Sequence, residues 1–198
     1  MIYISLQNFY RKFTNIKPKE DLNFNFPYKD LYIPYSTDSV LKPVGKINYG
    51  PLNLVDGDIN TAWVEGSKGS GIGDIFTFYN PASLHKVKSI SVINGYAKND
   101  KTFKENNRVS LIKVTVEYHY NQDFKNVDNY EGVSDYFNGK VTTKVEYVFS
   151  LKDTADEQTI ILDAPILTSE LTIEILDVFK GEKYDDTAIT EVAFQYDE

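Results

Sequence analysis

From residue 75 onward the chain is a succession of short β-rich runs separated by turn residues, with no helical period sustained beyond two turns. The runs cover residues 75–78, 87–94, 111–120, 143–150, 158–162, 171–176 and 189–196. Most of them alternate: Val114, Val116 and Tyr118 oppose Lys113, Thr115 and Glu117. A period of two puts apolar side chains on one face only, so each run is a strand with one buried side. A set of such strands, irregularly spaced, predicts two antiparallel sheets packed face to face. The aromatic content agrees, since 15 Tyr and 12 Phe favour half-buried pleated surfaces.

The first 36 residues read differently. Leu6, Phe9, Tyr10 and Phe13 fall at the spacing of one helical face, which predicts a short amphipathic helix over 3–14. Pro18, Pro27 and Pro34 then interrupt any regular pattern, so 15–36 is expected to be an irregular connector and 1–36 an N-terminal extension to a domain over 37–198. Residues 121–142 are polar and contain Glu131-Gly132 and Asn138-Gly139, as in a long excursion between two strands.

Charge and composition exclude several classes. Residues 151–198 hold 13 acidic and 3 basic side chains, a local balance of −10, while the other 150 residues balance to about +2. This is the opposite of the concentrated Lys and Arg that a phosphate backbone requires, so no nucleic-acid partner is expected. With no cysteine, there are no disulfides, thiolate metal sites or cysteine nucleophiles. Residues 1–9 lack the basic start and cleavage signal of a signal peptide, and no apolar run suggests membrane insertion. The two histidines, His85 and His119, belong to no recognisable catalytic motif.

Two loop motifs carry chemistry. Asp56-Gly57-Asp58 with Thr61 can place several hard oxygens around a cation such as calcium, or can simply cap a turn through bonds to backbone amides. Gly69-Ser70-Gly71-Ile72-Gly73 has no following Lys-Ser/Thr and opens no helical pattern, so it reads as a surface loop and not a phosphate cradle.

The run from Asn53 through Asp56-Gly57-Asp58-Ile59-Asn60-Thr61-Ala62 to Trp63 resembles the first-loop motif of discoidin, or F5/8 type C, domains. Further downstream, Trp63-Val64-Glu65-Gly66, Gly69–Asp74, Ile93-Asn94-Gly95-Tyr96, Asn106-Asn107-Arg108, Leu151-Lys152-Asp153-Thr154, Asp177–Gly181 and Lys183–Thr187 resemble the glycan-binding domain of secreted bacterial NAD glycohydrolases. The similarity spans 37–198 and breaks only at 121–142. It implies a discoidin-like (galactose-binding-like) antiparallel β-sandwich with a helical or irregular N-terminal extension. It also places NAD cleavage in a separate catalytic domain.

The resemblance implies site residues too. Glu191, on the last strand, stands where calcium-binding relatives complete the shell begun by Asp56, Asp58 and Thr61. Trp63 is implied to pack beneath the loop. A sugar needs ring faces and planar polar groups, and Glu65, Tyr96, Lys98, Asn106, Asn107, Arg108 and Tyr184 offer them from loops expected at one end of the sandwich. Arg108 has a second reading as a salt bridge at a strand start.

The function expected is therefore a non-catalytic carbohydrate-binding module, secreted or at a cell surface, that targets a fused or partner protein to a glycan. A different class is a protein-interaction sandwich that docks a partner domain through 1–36 and 121–142 without any sugar. A hydrolase built on a carboxylate pair such as Asp185-Asp186 is the third.

Overall fold

The computed structural model describes residues 33–37, 39–79, 85–119, 141–168 and 170–197. Nine strands, one short α-helix and a 3-10 helix at Pro51–Leu54 make up the regular structure of these residues: β1 (Ile33–Thr37), β2 (Trp63–Val64), β3 (Ile75–Tyr79), β4 (His85–Asn94), α1 (Asp100–Glu105), β5 (Asn107–His119), β6 (Val141–Ser150), β7 (Glu157–Thr168), β8 (Glu170–Phe179) and β9 (Thr187–Tyr196). Within the described residues all seven β-rich runs of the sequence lie in strands, most of them longer than the pattern suggested; Tyr120, at the end of the third run, lies outside those residues.

The strands pair in the order β1-β3-β8-β5-β9-β4-β7, with β6 added to β5 and β2 to β9. Every pairing is antiparallel except one. At that exception, Asn107 and Arg108 of β5 run parallel to Thr187 and Ala188 of β9 for just two residues. The joint links a layer of β1, β3, β8, β5 and β6 to a layer of β2, β9, β4 and β7. Phe78 of β3 meets Phe194 of β9 edge-on at 5.2 Å although their strands are not sheet neighbours, so the layers face one another. The result is the β-sandwich the sequence predicted.

Alternation builds the core. On β8, Leu171, Ile173 and Ile175 turn inward between partly exposed neighbours. They join Val109, Ile112, Val114 and Val116 of β5, Ile90 and Val92 of β4, and Ile160, Leu162 and Ile166 of β7 in one cluster. Each such side chain contributes roughly 1.5–3 kcal/mol on burial. Trp63 is fully buried, with Phe76 edge-on at 4.4 Å and its indole N–H donated to the Ser39 carbonyl at 3.1 Å.

Two expectations are corrected. The boundary at 36/37 falls inside β1, whose residues Ile33–Thr37 pair with β3 and belong to the sandwich. Proline breaks a central strand, but β1 is an edge strand, where Pro34 is tolerated, and the register shifts beside it. The stretch between Tyr96 and Asn106, read as loop, contains α1. Asn99 accepts from the Thr102 amide while the Thr102 hydroxyl accepts from the Asn99 amide, a reciprocal cap that nucleates a helix too short to show periodicity. The expected helix over 3–14, the connector up to residue 32 and the excursion from 121 to 140 lie outside the described residues; Val141 and Thr142, counted with that excursion, already belong to β6.

Candidate functional site

The loops following β1, β2, β4 and β8 gather at one end of the sandwich, because the short β5/β9 joint brings the starts of those two strands together there. The Asp56–Thr61 corner is a tight turn: the Asp58 amide donates to Asp56 Oδ1 at 2.9 Å, and the Thr61 hydroxyl donates to Asp56 Oδ2 at 2.8 Å. Asn60 donates to Asp58 Oδ1 from its amide at 2.9 Å and its side chain at 2.8 Å, which holds the Asp58 carboxyl below its ordinary pKa. Glu191 reaches this corner from β9. Burial, and then the Asp56 carboxylate against it, push Glu191 up to about 7. Its Oε1 is buried without a hydrogen-bond partner.

These observations bear on the calcium that the resemblance implies. Two carboxylates pressed together in low dielectric must share either a proton or a cation. A hard cation would find the Asp56 and Glu191 carboxylates, the Thr61 hydroxyl and turn carbonyls within one corner. Among the described residues no group of three or more acidic, histidine or cysteine side chains could hold a metal ion, so neutral oxygens must complete such a shell. The residues fit a calcium corner on those terms. An open cavity of about 240 Å³ adjoins it, lined by Gly57, Ile59, Ser91, Ile93, Glu191 and Ala193 among others.

The seven residues expected to offer ligand contacts separate into two groups. Glu65, Tyr96, Asn107 and Arg108 are buried and engaged within the fold. Asn107 is fully buried; its side-chain amide donates to the Asp185 carbonyl at 2.6 Å and its oxygen accepts the Gly181 amide at 2.7 Å. Arg108 forks onto Asp153, Nε to Oδ1 at 2.9 Å and Nη2 to Oδ2 at 2.6 Å, while Nη1 donates to the carbonyls of Asn106 and Lys180. The guanidinium also lies 5.3 Å from the Phe103 ring centroid. Gly95 makes this possible, since at φ +67 a Cβ would stand 2.6 Å from Arg108 Cγ. Of the two readings of Arg108, this arrangement is the salt bridge at a strand start.

Tyr96 spends its hydroxyl on the Asn60 carbonyl at 3.2 Å, tying the β4 loop to the Asp56–Thr61 corner, and burial raises its pKa. Asn106, the remaining polar residue of that sequence stretch, donates to the Thr102 carbonyl at 2.8 Å. The second group faces outward. Lys98 is exposed just before α1. Tyr184, 42% exposed, sits beside the end of that helix, its amide bonded to the Glu105 carbonyl at 2.8 Å. The Lys183 ammonium lies 4.6 Å from the Tyr184 ring centroid and 3.6 Å from Glu105 Oε1. Asp153 stands in one of the motifs that carry the resemblance, but its role as the anchor of Arg108, 45 residues away, has no signal in the sequence. Sequence reasoning missed α1, the platform between Lys98 and Tyr184.

His85 opens β4 and His119 closes β5. Asp185 is bound to Lys180 at 2.7 Å and to Asn107 at 3.2 Å, and both hold its carboxyl low. Among the described residues no helix is long and apolar enough to cross a membrane.

The profile of the NAD glycohydrolase translocation F5/8 type C domain matches residues 28–195, reaching back past β1. Solved structures share the fold. A family 32 carbohydrate-binding module from a family 31 glycoside hydrolase of Clostridium perfringens superposes with a TM-score of 0.58 at 14% identity, covering 84% of this chain and 91% of its own. The C-terminal domain of a chitobiase from Bacteroides fragilis gives 0.54 at 13%, with 87% and 97% covered. The family 32 carbohydrate-binding module of Streptococcus pneumoniae EndoD gives 0.51 at 10%, with 84% and 96% covered. No curated protein matches the sequence. The chain belongs to the NAD glycohydrolase translocation F5/8 type C domain family, a family of binding and translocation modules.

Proposed function

We propose that this member of the translocation F5/8 type C family is a non-catalytic glycan-binding module that brings an attached or partner NAD glycohydrolase to a glycosylated cell surface, and that it acts outside the cell that makes it. The observation that carries the reading is the exposed Tyr184 ring and the exposed Lys98 amine on either side of α1, at the loop end. A ring offers its face to the C–H side of a sugar, and an ammonium offers donors to its hydroxyls. Behind them, the bonds of Asn107, Arg108 and Tyr96 hold the loops in one arrangement, so little ordering is left for a ligand to impose. Glu65, Tyr96, Asn107 and Arg108 thus serve the site by positioning it, while Lys98 and Tyr184 touch the glycan.

The corner of Asp56, Thr61, Glu191 and the turn carbonyls, shaped by the Asp58–Asn60 bonds, is assigned to a structural calcium ion. When bound, it would supply positive charge to the two carboxylates and fix the loop to which Tyr96 is tied. A glycan array followed by calorimetry on the best hit tests the function. Tyr184→Ala and Lys98→Ala are expected to lower affinity without lowering the melting temperature. An array with no binding above background, in the presence of calcium, would overturn the glycan reading.

A further inference from the structure

Glu65 is fully buried at the exit of β2, and its Oε1 has no hydrogen-bond partner. Its other oxygen accepts the Ser67 amide at 2.6 Å, and its backbone amide donates to the Thr187 carbonyl at 2.9 Å. The Gly66–Gly73 loop closes over it. Gly71, at φ +64, comes so near that a Cβ there would lie 2.9 Å from Glu65 Cγ. The loop is tied down by the Thr187 hydroxyl on the Ser70 carbonyl at 2.7 Å and the Gly73 amide on the Ile175 carbonyl at 2.8 Å.

The groups facing this carboxyl from each neighbouring element make it hard to ionise. From the turn before β3 the facing charge is Asp74; from the connection into β9 it is Asp186, itself pushed upward by burial and by Asp185. The 39–41 segment brings the Ser39 hydroxyl, which donates to Asp74 at 2.6 Å and accepts the Gly66 amide at 3.1 Å. On its own loop, Lys68 is exposed. A buried carboxylate beside two others is costly, whereas the neutral acid leaves only a modest polar deficit. Burial comes first and the two aspartates add to it, and together they raise Glu65 to about 7.

We propose that Glu65 is a proton-operated latch, seating the Gly66–Gly73 loop when protonated and releasing it when ionised. The loop end is then closed in mildly acidic solution and loosened in mildly alkaline solution. Local release suits this segment, because Ser67, Lys68, Gly69, Ile72 and Gly73 are already exposed and only a few bonds anchor it. The latch is independent of any sugar.

Amide hydrogen exchange on the parent protein and Glu65→Gln, at pH 6 and pH 8.5 and corrected for intrinsic rates, tests it. The amides to follow are those of Gly66, Gly73 and Asp74, with Val114 and Ile173 as references from the core. In the parent, loop protection is expected to fall at least fivefold at pH 8.5 while the references hold; in Glu65→Gln it is expected to stay constant. Equal protection at both pH values in the parent, an equal fall in the variant, or an equal fall at the core references each overturns the proposal. Should Glu65→Gln not fold, a carbon-13 titration of the Glu65 carboxyl in the parent decides. A midpoint near 7 shared by the Gly71 amide supports the latch, and a midpoint in the ordinary carboxylate range overturns it.

Discussion

Arg108 and Asp153, 45 residues apart, form a two-point ion pair with Nε–Oδ1 at 2.9 Å and Nη2–Oδ2 at 2.6 Å. It joins the start of β5 to the turn before β7, and the remaining guanidinium donors fasten the β8–β9 connection through the Lys180 carbonyl. The loop end is therefore braced from beneath by a side chain that could have been taken for a ligand contact.

Arg108→Ala should consequently act on stability. Two carbonyls and a carboxylate lose charge-assisted bonds worth roughly 1.5–3 kcal/mol, and Asp153, partly exposed, recovers some of this from water. Chemical denaturation is the measurement. Glycan affinity of the folded fraction is expected to stay within twofold of the parent, and a large affinity loss at unchanged stability would return Arg108 to the contact set.

Truncation of the core at Phe78 should cost more. The ring is fully buried and meets both Phe76 and Phe194, so Phe78→Ala is expected to lose about 3–5 kcal/mol. Trp63, the only tryptophan, reports on the same core. Its emission should be blue-shifted in the native protein and move red in one transition with denaturant.

Calcium should raise the melting temperature, since an ion bound only by the folded state stabilises it. Glu191→Gln and Asp58→Ala are expected to reduce or abolish the rise. Because Glu191 is raised to about 7, binding must displace its proton. Affinity should therefore increase between pH 6 and pH 8. No shift on chelation and re-addition at pH 8 would count against the corner.

Without calcium, acid should stabilise the fold. Glu65 and Glu191 keep protons up to about 7 when folded but release them near 4.5 when unfolded. Unfolding then releases protons, so the contribution of these two groups is fully present below about 4.5 and declines as pH rises to about 7, by at most about 1.4 kcal/mol per unit for each group, while Asp58 and Asp185, held low in the fold, act in the opposite sense at more acid pH. Glu65→Gln should flatten part of this decline; a parent protein whose stability rises over that range would contradict it.

At the proposed glycan face, Tyr184→Ala should weaken binding roughly tenfold, which corresponds to about 1.4 kcal/mol, and Lys98→Ala by a smaller factor. Tyr184→Phe, which keeps the ring, is expected to retain most of the affinity. Parent-like binding by both alanine variants would remove them from the face.

The sequence by itself determined the architecture. The alternation that puts Val114 and Val116 inside and Lys113 and Thr115 outside is local information, and it survives any arrangement of neighbours. The same holds for the Asp56–Thr61 turn, whose internal bonds span at most five residues, whereas the place of Trp63 beneath its loop is implied by the family resemblance and held by Ser39, 24 residues away. The tertiary structure alone decided which polar side chains face water. Asn107 and Arg108 look like ligand groups in the linear text, because their partners lie tens of residues away: the β5/β9 joint brings Asp185, the β5/β8 ladder brings Lys180 and Gly181, and the β5/β6 ladder brings Asp153. Pairing over such distances leaves no periodic trace. Neither does the depth of Glu65, whose carboxyl is set apart from any other glutamate only by the loop folded over it and by the aspartates that loop and β9 deliver to its side.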